Sequence, residues 1–250
     1  MTFAFLAGAA ILVPVAPRAQ WRTPWSYNRG AADGPQHWAH LDPEYAACDG
    51  KEQSPIDIRS AVPADLPPLR FEDKSGPINI INNGYTAVRL DYAPGNGNFL
   101  VVGDQRYELV QFHFHHPSEE YVHGRPSDMV IHLMYQSSDG KNAGVAVLLN
   151  EGSANPVVSE LWKYMAKTKG PARVIPGAEV NPDGLLPRET GYYMYMGSIS
   201  APPCTEGVKW FVMKSRVQVS TAQIAAFAKL YPHDVRPLQP LDGRTVEETK

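Results

Sequence analysis

Cysteine is scarce in this chain: among 250 residues there are only Cys48 and Cys204. So few thiols leave little material for the cysteine-closed shell of a structural zinc. The pair is either one bridge or two free thiols, and the residues themselves leave both open. A basic stripe is also lacking. Lys and Arg are scattered and the formal net charge is −3, which argues against a nucleic-acid footprint. No repeat or low-complexity linker divides the chain. With 43% hydrophobic residues it is long enough to bury one substantial core, and 23 prolines and 20 glycines spread along it suit many short strands joined by tight turns.

A membrane-spanning run is missing too. The apolar stretch Phe3–Ala16 has 14 residues, too short to cross a bilayer comfortably, and the Ala-Pro-Arg-Ala19 that follows offers small residues for cleavage. Residues 1–20 therefore read as a partial signal segment without the usual basic start, the alternative being a buried N-terminal strand or helix. Residues 21–250 remain as the folded domain. An even cysteine count and a signal-like start both favour an oxidising compartment, so the expected location is periplasmic or secreted.

What the sequence does contain is a concentration of imidazole. In Gln111-Phe-His-Phe-His115, side chains two apart share a strand face, so His113 and His115 stand about 7 Å apart while Phe112 and Phe114 pack on the other side. The polar, Gly- and Pro-containing segment from Pro117 to Asp128 reads as the loop of a long hairpin. It returns the chain so that His132, inside Met-Val-Ile-His-Leu-Met, can lie across from the pair. One histidine in a buried strand is usually a hydrogen-bonded core residue. Three that converge where a core would favour Val or Leu need a common partner, because desolvating them alone is costly. Three neutral imidazoles with a fourth position open form the ligand set of a catalytic zinc that activates water.

Elsewhere, strands are expected over Ile78–Asn82, Ala87–Tyr92, Phe99–Val102, Leu109–His115, Met129–Tyr135, Gly144–Leu149, Tyr192–Met196 and Val208–Val212. Helices are expected over Pro156–Thr168 and over Thr221–Leu230, the latter capped by Ser220. The fold class is mixed α/β but sheet-dominated, a single domain with a few surface helices.

Together with Pro117-Ser-Glu119, Gln53-Ser-Pro-Ile-Asp-Ile58 and Tyr195-Met-Gly-Ser-Ile-Ser-Ala-Pro-Pro203, the histidine segments resemble the motifs of the α-class carbonic anhydrases, in order and spacing, from about Trp25 to Pro240. The resemblance implies a large, twisted, mostly antiparallel central sheet. It implies a zinc enzyme that hydrates CO2 reversibly to bicarbonate and a proton through a zinc-bound hydroxide, with His113, His115 and His132 as metal ligands and Gln111 orienting His113. Ser200 and Glu119 would aim the hydroxide. Met134, Gly144, Ile199, Val208 and Trp210 would wall the CO2 site beside Ser200 and Ala201, and Cys48 and Cys204 would form the disulfide of secreted members. The implied partners are CO2 and bicarbonate, with no nucleic acid, no membrane span in the mature form, and a homodimer as one admissible assembly. A different class of function, a carbonic-anhydrase-like zinc or ligand-binding protein with little turnover, is the alternative. Retention of all three histidines, Glu119 and the Ser200 hydroxyl favours the enzyme.

Departures from the family pattern stand out. Val130 takes the place, two residues before the third ligand, where a glutamate usually holds that imidazole, so another acceptor such as a backbone carbonyl must serve His132. Ala201 stands where a second hydroxyl is common. Met134 and Gly144 look like a compensating pair, large against small. Tyr85 occupies the position of the usual proton-shuttle histidine, and His40, His123 or Asp234 could supply a substitute route.

Overall fold

The structure, a computed structural model, describes residues 23–250, so the proposed signal segment lies outside the described residues. Its frame is one mixed 13-stranded sheet. Ten strands form the continuous path: β1 (Val62–Ala64), β2 (Gly76–Ile81), β3 (Arg89–Asp91), β4 (Gln105–His115), β5 (Met129–Ser137), β6 (Asn142–Glu151), β7 (Arg173–Val180), β8 (Tyr192–Ser198), β9 (Glu206–Met213) and β10 (Glu247–Thr249). Their spatial order is β7-β2-β3-β4-β5-β6-β9-β8-β10-β1. Most neighbours run antiparallel, but β6 pairs parallel with β9 and with Val217–Val219, and β10 pairs parallel with β1. The sheet is thus mixed, and its parallel pairs join segments far apart in sequence, which needs long crossover connections.

The central strands are covered on both faces. In β5, seven successive residues from Met129 to Tyr135 are buried, as is Ala143–Leu149 in β6, which explains why these strands read as continuous apolar runs. One face packs Phe112, Phe114, Ile131, Leu133, Val145 and Phe227 into the larger core. The other face carries a smaller core of Ile56, Ile58, Val130, Leu148, Tyr195 and Trp210, and the histidines belong to that side.

The helices are shorter than expected. The first spans Pro156–Trp162, with Asn155 accepting from the Val157 and Val158 amides and Pro156 in the first turn. Beyond Trp162 the bonding tightens to three-residue steps, Tyr164 N–H to Leu161 and Met165 N–H to Trp162, and the helix ends there. The second spans Thr221–Ala228 behind a capping box in which Ser220 and Gln223 satisfy one another's amides. Among the described residues no helix is long and apolar enough to cross a membrane.

Candidate metal centre and cleft

Register brings the three histidines together. His132 on β5 lies directly opposite His113 on β4, and His115 is two residues further along the same face. One nitrogen from each ring lies within 4.8 Å of the others, and His113 Nε2 is 2.9 Å from His115 Nε2. The outer nitrogens are all engaged. His113 Nδ1 is 2.8 Å from Gln111 Oε1, His115 Nδ1 is 2.6 Å from the Asp234 carbonyl, and His132 Nε2 is 2.9 and 3.1 Å from the two carboxylate oxygens of Glu120.

Those contacts set the tautomers. Each partner is an oxygen acceptor, so each outer nitrogen carries the proton and each inner nitrogen presents its lone pair. Three lone pairs then point into one small space, a costly arrangement unless a cation is shared between them. Burial holds His113 and His115 well below the ordinary imidazole pKa, and neighbouring rings push the same way. In His132 burial also opposes the charge, but the Glu120 carboxylate outweighs it and raises the pKa. The donor set is nitrogen-only, converging and open to a cleft on its fourth side, which fits a divalent metal.

Glu119 is fixed behind the imidazoles. Its Oε1 accepts from the Arg236 amide at 2.7 Å, while Oε2 is fully buried, 3.6 Å from His115 Nε2 and 3.9 Å from His132 Nδ1. That oxygen makes no hydrogen bond of ordinary geometry, although the Ser200 hydroxyl is close enough to favour the ionised carboxylate. Burial is the stronger influence and raises Glu119 to about 7.

The cleft above the imidazoles is lined by an apolar wall of Met134, Ile199, Ala201 and Trp210, together with Thr86 and Arg89. Val208 and Gly144 sit behind this wall. Val208 is fully buried beside Trp210, and Gly144 pairs with Trp210 across the strands. Gly144 is opposite Met134 in register on its other side, but the space a Cβ would occupy belongs to the indole, only 2.7 Å from ring carbons Cε3 and Cζ3. The small residue accommodates Trp210 rather than Met134.

Other expected groups fall elsewhere. Tyr85 lines the cleft, packed on Trp25. His40 and His123 are exposed and do not line the cleft, and Asp234 is buried, its carboxylate accepting from the His116 amide. Cys48 and Cys204 are bonded, which closes a sequence separation of 156 residues.

His132 does have another acceptor in place of a glutamate at position 130, though it is not a backbone carbonyl. The acceptor serving His132 is the carboxylate of Glu120, whereas a backbone carbonyl, that of Asp234, serves His115. Glu120 follows Glu119 directly, so the adjacent acidic pair was its only sequence signal. Arg236 was missed as well. It is 3% exposed, and its guanidinium donates to Gln53 Oε1 and to the carbonyls of Ser54 and Cys48, which ties the C-terminal segment to the loop beneath the site.

Comparison with known proteins agrees with the geometry. The family model for eukaryotic-type carbonic anhydrase matches residues 33–250. A carbonic anhydrase of Pectobacterium carotovorum is 38% identical over 228 residues, covering 89% of each chain. The solved α-carbonic anhydrase of Thermovibrio ammonificans, a complex with the inhibitor sulfanilamide, superposes with a TM-score of 0.85 at 38% identity, over 90% of this chain and 99% of that one. Dioscorin dioA3 of Dioscorea japonica is 34% identical over 89% of this chain and 85% of its own. With the family model spanning nearly the whole described chain, this protein belongs to the α-class carbonic anhydrases, a family of carbonate dehydratases.

Proposed function

We propose that the chain hydrates CO2 reversibly to bicarbonate and a proton at a zinc ion held by His113, His115 and His132. The observation that carries this reading is the set of three inward lone pairs fixed by three outward hydrogen bonds. Zinc bound there would act as a Lewis acid that lowers the pKa of water from 15.7 to about 7. Everything else falls to side chains of this chain. Glu119, held through Oε1, would accept from the nearby Ser200 hydroxyl, and the Ser200 oxygen would then accept the proton of the attacking oxygen and so aim its lone pair. Met134, Ile199 and Trp210 offer an apolar wall to a substrate that carries no charge. Ala201 leaves the product with one polar contact fewer than the family's usual hydroxyl.

Export is the compartment this reading favours. The Cys48–Cys204 disulfide suits an oxidising environment, and residues 1–20 would be the segment that directs the chain there, leaving 21–250 as the catalytic domain.

Metal analysis joined to stopped-flow CO2 hydration tests the proposal. Wild-type protein should bind one zinc per chain and turn over, and His115→Ala or His132→Ala should lose both properties together. Full activity in either purified variant would overturn the assignment.

A further inference from the structure

Glu119 and Glu120 are consecutive in sequence, yet their carboxylates reach opposite edges of one imidazole. Glu119 Oε2 lies 3.9 Å from His132 Nδ1, and Glu120 grips Nε2 with both oxygens at 2.9 and 3.1 Å. The main chain holds this arrangement in place. Ser118 Oγ donates to the Glu120 carbonyl and itself accepts from the Ser127 amide, and the Tyr121 amide donates to the Ile56 carbonyl.

Two features make Glu120 more than a structural hydrogen-bond acceptor. First, Val130 lies two residues before His132 on the same strand face, buried against apolar neighbours, so the strand itself supplies no carboxylate. Second, Glu119 and Glu120 are both about 1% exposed, and Arg236 directs only its backbone amide to Glu119 while its guanidinium bonds elsewhere. Among the described residues no Lys or Arg side chain makes an ion pair with either carboxylate. Two buried carboxyl groups thus flank one imidazole, and neither has a Lys or Arg side chain for a partner.

We propose that the carboxylate that holds the third ligand has moved from the strand to the loop in this protein, and that Glu120 is the positioning residue that retains the metal. This rests on the zinc reading above. The other two ligands lean on neutral oxygens of Gln111 and the Asp234 backbone, so Glu120 contributes the one formal charge to the outer contacts. Partners of this kind affect metal affinity by 10- to 100-fold.

The test is the rate of zinc release to a chelator from purified holoprotein. Glu120→Ala should release zinc about 10- to 100-fold faster than wild type, with Glu120→Gln in between because it keeps an acceptor but not the charge. The double variant Glu120→Ala/Val130→Glu, which returns a carboxylate to the strand, should recover slow release. The visible spectrum of the Co2+-substituted protein should change in Glu120→Ala and recover in the double variant. If Glu120→Ala fails to fold, Glu120→Gln and the double variant carry the comparison. Release at the wild-type rate in Glu120→Gln and in any folded Glu120→Ala overturns the inference and leaves the zinc site standing. A wild-type protein that holds no zinc overturns both.

Discussion

The ring of Tyr85 lies flat on the indole of Trp25, with centroids 3.8 Å apart and planes 5° from parallel. A backbone group of Trp25 also lies against the hydroxyl, and burial raises the phenol above its ordinary pKa. Each turnover must export a proton, and an efficient relay needs a pKa near 7, which a phenol near 10 lacks even when fully exposed. Turnover at saturating CO2 should therefore be limited by proton transfer and should rise as imidazole buffer is added. Tyr85→His should raise it without changing the rate at low CO2. A maximal rate independent of buffer, with no gain from the substitution, would show that another relay serves the site.

Ser200 is expected to act by orientation alone. Ser200→Ala should keep its zinc while CO2 hydration falls on the order of 100-fold, the scale for loss of one preorganised contact. Metal content and rate measured on one preparation separate the two effects, and an unchanged rate would make the hydroxyl incidental.

Gly144 is required by the indole above it. A valine there would place Cβ about 2.7 Å from Trp210 ring carbons, so the ring must move. Gly144→Val should cost about 1 to 3 kcal/mol in denaturant unfolding, the usual range for overpacking. It should also slow hydration by displacing part of the apolar wall. Unfolding at the wild-type midpoint would show that the strand pair absorbs the extra volume.

The Cys48–Cys204 bridge closes a separation of 156 residues, a loop worth about 5 kcal/mol in the chain-entropy account. Air-oxidised protein should contain no titratable thiol, and reduction should lower its melting temperature. Two reactive thiols in the native oxidised protein would contradict this.

Asp73 gives the clearest pH signature away from the metal centre. Both its carboxylate oxygens are covered and have no hydrogen-bond partner, and burial, aided by the charge of Asp183, raises its pKa from 3.8 to about 6. An acid whose folded pKa lies above its unfolded value favours the fold fully below the unfolded pKa and loses that contribution as pH rises through the folded one. Asp73→Asn should thus melt higher than wild type at pH 7.5, with the gap closing as pH falls from about 6 toward 4. An equal difference at both ends of that range would rule out ionisation as the cause.

The convergence of His113, His115 and His132 was legible because it depends only on the two-residue period of strands and one hairpin return. The helix over Thr221–Ala228 was legible for a similar reason, since its cap and first turn are local. What surrounds the ligands was not. The Asp234 carbonyl reaches His115 across 119 positions, and Arg236 reaches Cys48 across 188. Such contacts arise from sheet order and crossover connections, which no local pattern encodes. Glu120 was hidden differently: its neighbour Glu119 carried the recognisable motif, and which of two adjacent loop carboxylates turns to which edge of a ring is decided by backbone bonds at Ser118 and Tyr121.

The anchoring of Glu119 and His115 by residues 234–236 makes the completed site depend on a segment 117 and 119 positions away in sequence. Strands β4 and β5 pair across one hairpin return, but the outer partner of His115 and the backbone donor of Glu119 both come from the segment from Asp234 to Arg236. Without that segment His115 alone among the three imidazoles loses its outer partner, since Gln111 and Glu120 still face His113 and His132. Residues 234–236 thus act as a latch, one short stretch of chain that closes over two of the groups around the site at once.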